Sequence, residues 1–245
     1  MSTRREMLRW LSVVAPGALL GALVRREALA AAARIEALRF LRGIGQASRA
    51  LRAGELAPAQ WQDRAEELDR SLDLADLRRA IDFDRLARTL ELPDIVSGDT
   101  VLRAPGGPYR FAAKLFGLRR GRAITPHGHR NMVSMHTVLQ GELRVRQFDR
   151  VRDEPGHLVL RPTVDEVAGP GHASSISSAR NNVHWFVAQS ETAFAFDCIV
   201  SGLQPLGYDY GIDLLDPAHA ERLGDGTLRA RRIEWDESVR LYGKS

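Results

Sequence analysis

The sequence predicts a mainly β chain, a small barrel of short strands behind an α-helical N-terminal segment. Three observations carry that expectation. From about residue 97, Gly, Pro and β-branched residues punctuate short apolar runs such as "YRFAAKLFGL", "MHTVLQGELRVRQFDR", "HLVLRPT", "NNVHWFVA" and "TAFAFDCIV"; strands separated by turn signals argue an all-β sandwich or barrel. Residues 34–53 instead place apolar side chains three and four apart, the helical period, and the helical reading continues to residue 96. Between Gly121 and Gly141 lies "PHGHRNMVSMHTVLQG", with three histidines and no carboxylate.

The first segment, residues 1–33, reads as an export address. Thr3-Arg4-Arg5-Glu6-Met7-Leu8-Arg9 resembles a twin-arginine motif. The apolar run that follows covers residues 10–24 and is interrupted by Pro16 and Gly17, short of the ~20 residues that span a bilayer. Small residues then offer cleavage after Ala30 or Ala33. The expected location is periplasmic or otherwise extracytoplasmic, reached through the twin-arginine export machinery, with no stable membrane insertion after cleavage. That route carries folded proteins. Arg25-Arg26-Glu27, between the apolar run and the cleavage site, leaves an uncleaved anchor open.

Residues 34–53 read as an amphipathic helix, a second helix opens near Pro58, and "DLADLRRAIDFDRLARTLEL" continues as two short pieces. The barrel is expected over residues 97–245. Of the net charge of +4, residues 1–30 supply +3, five arginines against two glutamates, so the remainder is close to neutral. No basic stripe interleaves with aromatics, which sets nucleic acid aside. The one cysteine, Cys198, excludes an internal disulfide and sits in an apolar run as a buried thiol.

In a strand, residues two apart share a face, so His127 and His129 project together and can bind one first-row metal if another strand adds a ligand. Gly121, five residues, His127-Gly128-His129 and then Gly141 match the first motif of the cupins, jelly-roll barrels with a metal in the mouth. Ser134 stands where cupins usually carry a glutamate. "SSARNNVHWFVA" offers His184 as the remaining histidine, with Asn181 in a turn position that favours glycine and that Asn tolerates. Three imidazoles on Fe(II) leave a +2 centre, to which an incoming thiolate brings the missing anion; this suits oxidation of a thiol to a sulfinate.

The segment "RFAAKLFGLRRGRAITPHGHRNMVSMHTVLQGELRVRQFDRV" resembles the metal-site segment of the plant cysteine oxidase and cysteamine (2-aminoethanethiol) dioxygenase family. Phe116, Leu118, Pro126, His127, His129, Met132, Leu139, Gly141, Val145 and Asp149 carry the likeness. It is good over residues 110–150, fair over 180–215 and only architectural in the helical part. The resemblance implies a cupin barrel, Fe(II), O2 and conversion of a thiol to a sulfinic acid. It also implies His184 as third ligand and, from "YDYGIDLLDP", Tyr210 and Asp213 as substrate-side residues. Departures fall on Arg130-Asn131, where the family has proline-glycine, on a missing cysteine and a missing glycine-proline-proline run, and on His136, where the family has a small residue.

Counted by two from Ser134, His136 faces the interior, where orienting a substrate, acid/base work and a buried hydrogen bond are all open roles. Asp197 is a candidate to hydrogen-bond a ligand histidine. His157, His172 and His219 read as surface histidines, and "VDEVAGPGHASSIS" as a turn between strands. No G-x-S-x-G elbow occurs. The expected function is an Fe(II)-dependent dioxygenase acting on a small-molecule or peptide thiol. The alternatives are another metal-dependent oxygenase or an isomerase, or a non-catalytic periplasmic metal- or ligand-binding module.

Overall fold

The computed structural model describes residues 29–92, 97–102, 111–203 and 211–244. The segment read as an export address lies outside them except for residues 29–33, which begin a helix; Tyr210 also lies outside. Four helices come first: α1 (Leu29–Arg52), α2 (Pro58–Arg70), α3 (Leu74–Ala80) and α4 (Phe83–Thr89). Pro58 opens α2 at a position where a missing N–H costs nothing. Asp73 caps α3 by accepting from the Ala75 N–H. The tract read as two short helical pieces is α3 and α4. Among the described residues, no helix is long and apolar enough to cross a membrane.

The strands follow: β1 (Gly98–Leu102), β2 (Ala112–Arg119), β3 (Ala123–His129), β4 (Met132–Gln140), β5 (Leu143–Glu154), β6 (His157–Ala168), β7 (Ala173–Ile176), β8 (Val183–Ala188), β9 (Thr192–Ser201), β10 (Ile212–Arg222) and β11 (Leu228–Arg232). One sheet has the order β1-β2-β9-β4-β7, and the other six strands, β10-β11-β6-β5-β8-β3, close on themselves. This is the expected mainly β barrel, with helices at its N-terminal end. The glycine-rich loop shrinks to residues 169–172, because its flanks are the end of β6 and all of β7. A fifth helix, α5 (Trp235–Tyr242), packs Tyr242 with Leu214 and Ile233.

Helices α1–α4 lie on the outer face of the five-stranded sheet. Phe40, Ile44, Trp61, Leu77 and Phe83 form one core with Leu115, Met135, Phe194 and Phe196. Behind the same sheet, Phe116, Leu118, Val138, Val145 and Phe186 fill the barrel interior. Gly141, the closing glycine of the histidine segment, has φ 72°, and a Cβ there would meet the Thr192 carbonyl oxygen at 2.2 Å. Only glycine fits.

Candidate metal centre

His127 and His129 leave β3 on one face, and β8 brings His184 directly opposite His127 in the ladder. Ring centroids are 4.1 Å apart for His127–His184, 4.7 Å for His127–His129 and 5.3 Å for His129–His184. One ring nitrogen from each lies within 4.8 Å of the other two, and among the described residues this cluster includes no carboxylate. His127 Nδ1 lies 2.7 Å from the Thr125 carbonyl oxygen. A carbonyl only accepts, so Nδ1 carries the proton and the Nε2 lone pair is left for a cation.

Electrostatics keep these rings neutral. Burial drives the His127 pKa down to about 4, against a smaller upward pull from its bond to Thr125. His129 falls well below the ordinary imidazole value through burial, then through His127, His136 and Lys114. His184 does so through burial and the three neighbouring histidines. Three unprotonated imidazoles aimed at one point, His184 buried and His127 and His129 half-buried, are a donor set for a divalent first-row metal, and the residues present fit one.

The turns that deliver these histidines use asparagine for glycine. Asn181 has φ 54° before His184, as the sequence suggested, and Asn131 has φ 59° after His129. Asn tolerates the left-handed region. The Arg130-Asn131 departure thus preserves the turn while adding a cation.

That cation meets Asp213. Asp213 pairs with Gly128, the residue between the two β3 histidines, so its side chain leaves on the face opposite the imidazoles. Its carboxylate is bound by Arg130 at 2.8 Å, Arg150 at 2.7 Å and Arg232 at 3.1 Å. Burial alone would raise its pKa, but the hydrogen bonds and charges of Arg130 and Arg150 outweigh this and hold it below the usual carboxylate range. The carboxylate that the resemblance put on the substrate side is committed to three arginines.

His136 is buried on the opposite wall, its ring centroid 5.3 Å from that of His184 and 4.9 Å from that of Phe186. Ser134 donates to Asp197 Oδ1, and His136 Nε2 lies 3.4 Å from Ser134 Oγ and 3.6 Å from Asp197. Asp197 therefore supports Ser134 and His136, not a ligand histidine. Cys198 is buried with its pKa pushed up, first by burial and then by Asp197 and Asp69. His157 and His219 lie at the surface, while partly exposed His172 pairs with Glu166.

No protein-family model and no curated protein matches the sequence. Solved structures do. Procruciferin, an 11S globulin from Brassica napus, is 15% identical over 51% of this chain and 28% of its own, with TM-score 0.36. An oxalate oxidase in complex with glycolate is 19% identical over 50% of this chain and 56% of its own, with TM-score 0.37. A cupin superfamily protein from Desulfitobacterium hafniense DCB-2 is 13% identical over 48% of this chain and 88% of its own, with TM-score 0.34. This chain spans little more than a quarter of the procruciferin chain and about half of the oxidase. Each of these matches covers about half of this chain.

Proposed function

We propose that the chain is an exported Fe(II)-dependent dioxygenase that oxidises a thiol, RSH, to the sulfinic acid RSO2H. Both oxygen atoms come from O2, so no further reductant is needed. The observation that supports this best is the donor set: three neutral imidazoles, with Ser134 in place of the usual carboxylate and turned away to Asp197. His127, His129 and His184 would hold the metal. Fe(II), when bound there, would supply the redox chemistry of the oxidation. Phe186 lies 5.3 Å from His184 and stacks on Phe116 at 6.0 Å, an apolar wall beside the cluster.

The test is elemental analysis of natively exported protein, paired with oxygen uptake on cysteine, cysteamine, short thiols and N-terminal-cysteine peptides. Iron near one per chain with thiol-dependent uptake is the expected result. Zinc or copper, with no uptake after iron reconstitution, would leave the non-catalytic binding module. The buried His136–Ser134–Asp197 group supports a second reading, another oxygenase or an isomerase with His136 as acid/base. His136→Ala separates them: loss of all turnover at unchanged metal content favours the second, whereas a thiol dioxygenase keeps part of its rate.

A further inference from the structure

The turn that leads into β8 holds a buried amide that meets both arms of the histidine cluster. Asn182 stands two residues before His184 and is 1% exposed. Its Nδ2 donates to the His129 carbonyl oxygen at 2.8 Å and to the Ser177 carbonyl oxygen at 2.9 Å. An amide nitrogen has two hydrogens, so both are spent: one on the strand that carries two of the histidines, one on the turn that delivers the third. The carbonyls also fix which end of the amide is nitrogen, because an oxygen there would face two acceptors. Asn182 Oδ1 is buried and has no hydrogen-bond partner among the described residues. It stands over Gly128, where a Cβ would come 2.9 Å from it. An unpaired buried acceptor detracts from stability, so this asparagine calls for an explanation other than stability.

The turn is anchored from outside the barrel. The Ser177 hydroxyl accepts from the N–H groups of Ala179 and Arg180 and donates to Gln62 Oε1 of α2, and the Asn181 N–H donates to Asp149 at 2.8 Å. The β3–β8 ladder is less secure. A register shift between Ile124 and His127 leaves just His127–His184 and Gly128–Val183 paired on the cluster side of it.

We propose that Asn182 is a positioning residue of the metal centre: its side-chain amide ties the His129 backbone to the anchored turn before His184, and so sets the spacing of the donor atoms on the two strands. This rests on the three-histidine metal reading above and not on the thiol.

The test is a cobalt(II) titration of the full chain, followed by the visible absorption of the ion, with unfolding of the metal-free protein measured alongside. Asn182→Leu keeps the size of the side chain and removes both donors. It should weaken cobalt binding by about tenfold or more, the usual range for hydrogen-bond partners of ligand residues, and change the shape and intensity of the band at saturation. Asn182→Ala serves if the Leu variant does not fold. A part in stability alone predicts a lower unfolding midpoint with wild-type affinity and band in the folded variant, and that outcome overturns the proposal. His184→Ala should abolish the wild-type band. If that band survives unchanged, the cobalt sits elsewhere, and the metal reading fails together with the proposal.

Discussion

On β9, Phe194, Phe196, Cys198 and Val200 point to the helices, whereas Ala193, Ala195 and Asp197 point into the barrel. β4 divides likewise, with Val133, Met135 and Leu139 outward and Ser134, His136 and Val138 inward. One residue of offset separates a dry packing surface from a wall bearing charge. The outer face is built for stability. The inner face gives some of it up, because a buried carboxylate and imidazoles cost more than apolar groups of the same size.

Mutations should keep the two faces apart. The largest effect is expected from Phe194→Ala, which empties the outer face beside Phe83, 5.6 Å away in edge contact. Denaturant unfolding should show a loss of ~3–5 kcal/mol, with metal bound per folded chain unchanged. If metal affinity falls with stability, the division between the faces is wrong.

The next effect concerns Asp69 of α2, which accepts from Thr137 on the outer face of β4. Burial raises its pKa from 3.8 to about 6, against an opposing pull from that hydrogen bond. The folded state thus binds this proton more tightly than the unfolded state does. The stabilisation is full below pH 3.8 and is lost as pH rises through about 6. Asp69→Asn should remove roughly 3 kcal/mol of that decline, so the variant gains on the wild type between pH 4 and 7. Parallel stability profiles would contradict the burial argument.

The smallest effect is expected at Asn181, which feeds His184 to the inner face. Asn181→Val forces a β-branched residue into the left-handed region and should cost ~1–2 kcal/mol. Asn181→Gly should be nearly neutral, with metal affinity intact. Weakened metal binding in the Gly variant would give the asparagine side chain a part in the site beyond its backbone.

The positions of the three clustered histidines were legible because each depends on local sequence alone. His127 and His129 share a face by strand alternation, and the framing glycines fix the motif. Asn181 marks the turn before His184. The pairing of β2 with β9 was not legible, since nothing in "RFAAKLFGL" says that the two strands lie side by side. Ser134 and Asp197 were each noticed, but their bond spans β4 and β9 and so belongs to the register. Asp213 shows the same limit, because Arg130, Arg150 and Arg232 reach it from three other strand contexts. Burial does not help on β4, where eight of nine residues are buried. Helices cover one side and the barrel fills the other, so the polar–apolar alternation that usually betrays a strand's inner face is muted.

The helices and the outer face of the sheet share one core, and this bears on how the chain comes apart. The change of texture near residue 97 marks a shift in composition, whereas cooperativity runs straight through it. Removing the helices would bare Phe194 and Phe196, the residues that sit back to back with the polar row. The strands bearing Ser134, His136 and Asp197 thus owe their rigidity to a segment packed on their far face. Loosening the helical cap would blur the site from behind, by letting the sheet breathe, before any residue in the barrel had changed.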